Sequence, residues 1–143
     1  MLNQPIRTMM SRESALKVSP DTTVADAAAL MADHQAGALM VVSGERLVGI
    51  VTERDIVFRV VALARDPEET VLRDVMTSRP FTVPPGKSFG HALLMMQRYH
   101  CRHLPVVEGE RPVGIISGRM ALDPDLEEFV AEGRRREALA LEP

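Results

Sequence analysis

Thr52 and Asp55 form the most chemically suggestive pair in the chain, a hydroxyl and a carboxylate three residues apart, directly after the apolar run 48–51. This spacing predicts the start of a helix, where free backbone amides and the positive end of the helix dipole attract phosphate. The carboxylate can accept hydrogen bonds from the paired hydroxyls of a ribose, and the Thr52 hydroxyl can reach a phosphate oxygen. The same spacing also makes a capping box, in which the two side chains only begin the helix. The residues alone leave both interpretations open.

A second polar cluster is His100-Cys101-Arg102-His103. The planar guanidinium of Arg102 suits phosphate, whereas the two histidines and the cysteine could supply zinc ligands. The cluster stands at the entrance of an apolar strand, where neighbouring side chains point to opposite faces and do not converge on one metal ion. We therefore expect no metal site and no Cys/His catalytic pair, and we interpret Cys101 as a small apolar filler.

Composition excludes several classes of protein. The chain has 143 residues and a net charge of −3, so no excess of positive charge is available for a nucleic-acid backbone. Four Phe, one Tyr and no Trp offer little surface for stacking bases. A single cysteine excludes an internal disulfide, and no apolar run approaches the roughly 18 residues of a membrane helix. The first residues lack a signal-peptide pattern. We expect a small cytoplasmic protein that binds neither membrane nor nucleic acid.

The polar groups lie within an internal repeat. A shift of 65 residues places residues 18–56 on 83–121, with 14 identities in 39 positions where about two or three are expected by chance. In each copy a helix follows an N-cap, Thr23 or Ser88, and two apolar runs joined by a four-residue loop then predict a β-hairpin. A second helix over residues 53–64 ends before Asp66-Pro67. The sequence therefore predicts an α/β fold, with α+β character, of two β-α-β-β-α units.

Three motifs resemble those of a tandem CBS domain pair, or Bateman module: Gly49-Ile50-Val51-Thr52-Glu53-Arg54-Asp55, Asp74-Val75-Met76-Thr77 and Arg102-His103-Leu104-Pro105-Val106-Val107. The resemblance covers about residues 6–122. It implies one CBS domain over 6–64 and another over 75–122, joined by a linker over 65–74 and related by a pseudo-twofold axis. Residues 123–143 are predicted to form a C-terminal helical tail.

The resemblance also implies where a ligand binds. CBS pairs use the Thr and Asp of this motif to hold the ribose and phosphate of adenosine nucleotides, and each cleft usually combines them with the hairpin-strand entrance of the other repeat. We expect the second cleft to be degenerate, because Met120 replaces the carboxylate and Gly37 and Ala38 replace the polar entrance. The first cleft then contains Thr52, Arg54, Asp55, Thr82, Cys101, Arg102 and His103. The degenerate cleft contains Val18, Gly37, Ala38, Ser117, Arg119 and Met120.

The function implied by the resemblance is that of a stand-alone regulatory module, not an enzyme. Its ligand would be AMP, ADP, ATP, NAD(H) or S-adenosylmethionine, no cofactor would be required, and an unidentified protein target would receive the signal. The second helix is too apolar to stay exposed, and because CBS pairs commonly dimerise through such helices, the resemblance implies a homodimer. The alternative is a structural interaction dimer whose nucleotide cleft is vestigial. An enzyme would rest only on the His/Cys cluster at residues 100–103.

Overall fold

The computed structural model describes residues 2–10, 16–121, 135–136 and 138–140. Most of the predicted C-terminal tail, 123–143, lies outside these residues. The described chain contains two similar units, which we call copy one and copy two, in agreement with the sequence repeat. The expected mixed α/β architecture is confirmed.

Copy one has a four-stranded sheet in the order β1-β2-β3-β4 and one main helix. Thr23 caps that helix by accepting a hydrogen bond from the Asp26 amide at 3.1 Å, as predicted from its hydroxyl. The apolar face of the helix packs on the sheet because its Val24, Ala27 and Met31 recur at helical spacing and are buried. The elements are β1 (Lys17–Val18), α2 (Val24–His34), β2 (Ala38–Ser43), β3 (Arg46–Thr52), α3 (Glu53–Ile56) and β4 (Thr77–Ser78), after a short N-terminal helix α1 (Ile6–Met9).

Copy two repeats this plan in a reduced form, with α4 (Phe89–Tyr99), β5 (His103–Glu108), β6 (Arg111–Ser117) and a 3-10 turn over Gly118–Ala121. Ser88 caps α4 by accepting from the His91 amide at 3.1 Å, which confirms the second predicted cap. A single parallel bridge between Val83 and Val106 stands where copy one has the β1–β2 pairing.

Two details of the elements differ from the sequence prediction. Ser43 pairs with Arg46, and Glu108 with Arg111, so each hairpin loop has two residues and the predicted loop of four is wrong. Gly44 and Gly109 take φ values of 61° and 64° in these turns, a conformation that suits glycine. The predicted helix over 53–64 begins as α3 and continues as a π-helical turn over Val57–Val61.

Each copy is completed by a segment from elsewhere in the chain. The N-terminal helix α1 packs on copy two, where Ile6 is fully buried and its amide donates to the Lys87 carbonyl at 2.8 Å. The equivalent segment of copy one is Leu72–Val75, whose Leu72 is fully buried and donates from its amide to the Thr22 carbonyl at 2.9 Å. Part of the predicted linker 65–74 is therefore core of copy one.

The two copies meet along β3 and β6. Ile50 and Ile115, which are equivalent in the repeat, form a small buried cluster with Ala38. The Leu47 amide donates to the Glu110 carbonyl at 2.9 Å, which ties the edge of one hairpin to the turn of the other. This junction brings the strand entrances of both hairpins to one end of the module.

None of the helices in the described part of the chain has the length and apolarity needed to cross a membrane.

Candidate functional site

Thr52 and Asp55 form a complete capping box at the start of α3. The Thr52 hydroxyl accepts from the Asp55 amide at 3.2 Å, and the Asp55 carboxylate accepts from the Thr52 amide at 3.0 Å. The Thr52 hydroxyl still has its own hydrogen to donate, and the carboxylate still has free lone pairs. The structural interpretation of this motif is therefore correct, and its geometry leaves hydrogen-bonding capacity for a ligand.

Arg59 holds the Asp55 side chain from the next turn of the helix. Its Nε lies 3.7 Å from Asp55 Oδ1, and its Nη1 donates to the Val75 and Met76 carbonyls at 3.2 and 3.1 Å. These contacts fix the start of α3 to the segment that completes copy one. Arg54 points elsewhere, with its guanidinium 4.8 Å from the centre of the Phe58 ring.

His103 lies at the contact between the copies. A Cβ placed on Gly37 would stand 3.1 Å from His103 Nε2 and 3.2 Å from Glu53 Oε1, so Gly37 leaves the space into which both side chains reach. Gly37 also accepts a hydrogen bond from the Glu53 amide through its carbonyl at 3.1 Å. The structure thus brings His103, at the strand entrance of copy two, close to Gly37 and Glu53 of copy one.

The surroundings of His103 set its charge. Burial is the main influence and lowers the pKa of His103, the Glu53 carboxylate raises it, and Arg119 and Arg102 lower it further. Beside it, burial raises the pKa of the half-buried Cys101 thiol, although a hydrogen bond with backbone acts in the opposite direction. Cys101 packs against the core of copy two, a position that suits a small apolar filler.

Arg119, which the sequence analysis assigns to the degenerate cleft, reaches copy one. It borders a cavity of about 480 Å³ between α2 and α3, a volume within the range of small-molecule sites. The cavity combines one cation and one acid with a mostly apolar wall. Its lining residues are Ala28, Met31, Ala32, Gln35, Ala36, Glu53, Ile56, Val57 and Arg119.

The equivalent positions of copy two lack this polar arrangement. Ser117 pairs with His103 across the hairpin, and the Gly118 amide donates to the Arg102 carbonyl at 3.0 Å, as Glu53 does to Gly37. Met120 packs against the core of copy two. A methionine at this position thus contributes packing and removes the carboxylate.

Thr82 and Val18 both lie half-buried next to the hairpin strands, although in the repeat Val18 aligns with Val83 and Thr82 with Lys17. Val18 pairs with Val41 in β2, while Thr82 precedes Val83, whose amide donates to the Pro105 carbonyl at 3.1 Å. Ala38 is buried in the junction between the copies. The roles of these residues in ligand binding stay predictions.

Sequence reasoning missed Glu53 and Arg59. Glu53 aligns with Gly118 in the repeat, so the sequence alone shows that copy two has a glycine where copy one has an acid. Arg59 stands four residues after Asp55, a spacing typical of helical ion pairs. Among the residues that the structure describes, no three His, Cys, Asp or Glu side chains group as metal ligands.

Both copies match a known protein family. The chain matches the CBS domain family over residues 6–62 and 72–123. It is 37% identical over 100 residues to the CBS domain-containing protein YhcV of Bacillus subtilis, covering 70% of this chain and 71% of that protein. It is also 33% identical over 132 residues to an inosine-5'-monophosphate dehydrogenase of Korarchaeum cryptofilum, covering 90% of this chain and only 26% of the dehydrogenase.

Solved structures show the same architecture. A protein with CBS domains from Burkholderia ambifaria superposes with a TM-score of 0.77 at 32% identity, covering 84% of this chain and 93% of that one. A CBS domain protein of Pyrobaculum aerophilum, complexed with AMP, superposes with a TM-score of 0.75 at 25% identity, covering 82% of this chain and 89% of that one.

Proposed function

Because the chain belongs to the CBS domain family, we propose that it is a regulatory module that binds an adenosine-containing ligand between its two copies and signals to a protein target. The observation that carries the proposal is the likeness to the Pyrobaculum protein, which is complexed with AMP. Candidate ligands are AMP, ADP, ATP, NAD(H) and S-adenosylmethionine, all of which share ribose and adenine. We propose no catalytic role and no resident cofactor.

The geometry around Thr52 supports this proposal. The Thr52 hydroxyl can donate to a phosphate oxygen, and Asp55 has lone pairs left for ribose hydroxyls while its carboxylate is held in place by Arg59. Because these side chains are already held in place before a ligand binds, binding costs little further conformational entropy. Arg102 and His103 stand at the adjoining strand entrance of copy two, with Thr82 and Cys101 beside them.

We further propose one competent cleft per chain. In copy two Met120 offers no acceptor for ribose hydroxyls, and its partner entrance carries Gly37 and Ala38. The Arg54 and Arg119 guanidinium groups would act as auxiliary phosphate ligands only after moving from Phe58 and from the α2–α3 cavity, respectively. The expected stoichiometry is therefore one ligand molecule per chain.

Calorimetric titration of the full chain with AMP tests the proposal. Asp55→Asn should weaken binding about tenfold or more, since a charge-assisted hydrogen bond to the ribose contributes about 1.5–3 kcal/mol. Asp26→Asn is the matched control, because Asp26 has the same position in the first turn of α2 and is exposed. Equal AMP affinity in Asp55→Asn and the original chain, with both folded by thermal unfolding, would contradict the assignment.

A second candidate function is a structural interaction dimer with a vestigial cleft. The observation that favours it is the complete capping box, because Thr52 and Asp55 already have a structural role. A thermal-shift panel of adenosine ligands separates the two functions. A ligand at 100 times its dissociation constant adds about 2.7 kcal/mol to the unfolding free energy. Absence of stabilisation by every ligand of the panel would favour the structural role.

In either case we propose a cytoplasmic homodimer formed through the helical turn that follows α3. Val57, Phe58, Val61 and Leu63 are all at least half exposed, and such an apolar patch favours a partner surface. Light scattering at micromolar concentration should give twice the chain mass. Val61→Glu should give the monomer mass, whereas Ser43→Glu, at an exposed hairpin position, should not. A monomeric original chain would overturn this proposal.

A further inference from the structure

Three cationic side chains from separate segments meet at the hairpin end of copy two. Arg7 of α1, Lys17 of β1 and Arg111 of β6 line a cavity of about 470 Å³, which we call the cationic cavity. Its remaining wall is formed by Met10, Pro85, Glu108, Pro112 and Val113. A cavity of this volume accommodates a small molecule.

The cationic cavity is separate from the proposed adenosine cleft. In the β5–β6 hairpin, Glu108 pairs with Arg111 at the turn, whereas His103 pairs with Ser117 at the other end. Five residues of extended strand separate these ends, a distance of roughly 17 Å. None of the residues predicted for the two adenosine clefts lines the cationic cavity.

The cationic cavity is positively charged, whereas the whole protein has a negative net charge. Among its lining residues three are basic and only Glu108 is acidic, in a chain whose net charge is −3. Bringing three cations together costs electrostatic free energy unless an anion is present. The arrangement therefore has the character of a site for a compact anion with at least two charges.

In copy one the arginine at the equivalent position is paired with a carboxylate. There Arg73 occupies the place of Arg7, since its amide donates to Pro20 as that of Arg7 donates to Pro85. Arg73 Nη1 is paired with the Asp21 carboxylate at 2.7 Å. In the repeat, Gly86 aligns with Asp21, so within the described residues Arg7 has no carboxylate partner.

The lysine of the cationic cavity also distinguishes the copies. Lys17 aligns with Thr82, so copy one has a neutral side chain where the cationic cavity has an ammonium group. Arg111 aligns with Arg46, which shows that this arginine alone does not make the difference. Copy two also gains an acid, since Glu108 aligns with Ser43, so its set has three cations and one acid where copy one has Arg73 and Arg46 with one acid, Asp21.

We propose that the cationic cavity binds a small polyanion that carries adjacent phosphate groups. Two guanidinium groups offer planar forks of donors that match phosphate oxygens, and Lys17 supplies a mobile point charge. Three cations match two phosphate groups and are too few for a nucleic-acid backbone. The site is independent of the adenosine cleft and gives the module a second small-molecule input.

Inorganic pyrophosphate is the probe for this site, titrated into the full chain by calorimetry at low ionic strength. The decisive variant is Gly86→Asp, which restores the copy-one carboxylate. A Cβ at position 86 stands 3.3 Å from Arg7 Nη2, the end of a flexible side chain, so the new carboxylate can pair with Arg7 without displacing backbone. We expect Gly86→Asp and Arg7→Gln each to weaken pyrophosphate binding about tenfold or more.

The matched control is Arg73→Gln, which removes the equivalent arginine of copy one and should leave the pyrophosphate affinity unchanged. Adenosine, which has no phosphate, reports on the other cleft and should bind Gly86→Asp as it binds the original chain. Failure of adenosine to bind any form would contradict the adenosine proposal alone. Absence of pyrophosphate binding at millimolar concentration, or equal affinity in Gly86→Asp and the original chain, would overturn the cationic site.

Discussion

The two copies share a main helix and a β-hairpin, but they differ in the helical turn that follows the hairpin. In copy one Thr52 and Asp55 exchange hydrogen bonds, and Arg59 fixes the carboxylate to the segment that completes the unit. In copy two Met120 stands in place of Asp55, lies within the 3-10 turn Gly118–Ala121 and packs against the core. The comparison teaches that duplication preserved packing in both units, while the hydroxyl–carboxylate pair at the hairpin exit is retained in only one.

The largest losses of stability should come from substitutions in the two segments that complete the copies. Leu72 is fully buried in copy one, and Leu72→Ala should lower the free energy of unfolding by about 2–5 kcal/mol because it leaves a cavity. Ile6→Ala should have a similar effect through copy two. Urea unfolding measures both, with Leu94→Ala, at an exposed position of α4, as a control that should change little. A loss below about 1 kcal/mol for Leu72→Ala would show that residues 72–75 are not core.

Two equivalent glycines should respond unequally to an added methyl group. A Cβ at Gly49 would lie 2.5 Å from Met76 Sδ and 3.0 Å from the Thr77 carbonyl oxygen, whereas at Gly114 the three nearest atoms all belong to the Met10 side chain, with Sδ at 2.7 Å. Methionine can shift but backbone cannot, so Gly49→Ala should cost about 1–3 kcal/mol and Gly114→Ala less. Thermal unfolding compares the two. A Met76→Ala background should recover part of the Gly49→Ala loss, and no recovery would contradict the clash.

The two helix starts should differ in what their hydroxyls contribute. Thr52→Ala removes a cap and should lower the free energy of unfolding by about 1 kcal/mol. Ser117→Ala should stay within about 0.5 kcal/mol, because the described part of the chain shows no side-chain hydrogen bond for Ser117. Thr23→Ala, at the cap of α2, provides the reference for a lost cap. Equal losses of unfolding free energy for Thr52→Ala and Ser117→Ala would contradict the expected difference between the copies.

The smallest effect concerns pH at the junction between the copies. Burial lowers the pKa of His103 below its ordinary value of 6.5, so the unfolded chain binds more protons than the folded chain in the window just below that value. The free energy of unfolding should therefore rise as pH increases towards about 6.5 and should gain nothing from this group above it. His103→Gln should remove this slope, whereas His91→Gln, on the exposed side of α4, should retain it.

Glu53→Gln sharpens the same measurement. The Glu53 carboxylate raises the pKa of His103, so its removal should move the lower end of the pH window further down. Urea unfolding as a function of pH measures the window in each variant. An unchanged window in Glu53→Gln would show that the two side chains do not interact across the junction.

Much of the fold could be predicted because its signals are local. The hydroxyls of Thr23 and Ser88 and the apolar spacing behind them identified both main helices and their first residues. The apolar runs identified both hairpins, although their turns are shorter than predicted, since Ser43 and Arg46 remain paired. The alignment of Asp55 with Met120 exposed the asymmetry, because each half of the sequence serves as a reference for the other.

Contacts between distant residues could not be predicted in the same way. Nothing near Ile6 or Leu72 indicates which sheet each one covers, because burial against either copy satisfies the same apolar pattern. The meeting of Glu53, His103 and Arg119 depends on how two finished units dock, a property that no local pattern encodes. The capping box was recognisable, but its spacing could not distinguish structural from ligand-binding use, since one geometry serves both.

The placement of α1 on copy two has a consequence for folding order. Copy one is built from the continuous stretch 16–78, so it can close as soon as that stretch is available. Copy two must join residues near Ile6 to residues near Phe89, a loop of more than 80 residues whose closure carries a larger entropic cost. During synthesis the residues around Ile6 are therefore made before copy one but find their partners only after it. We expect copy one to act as the nucleus and the unit with the cationic cavity to assemble later.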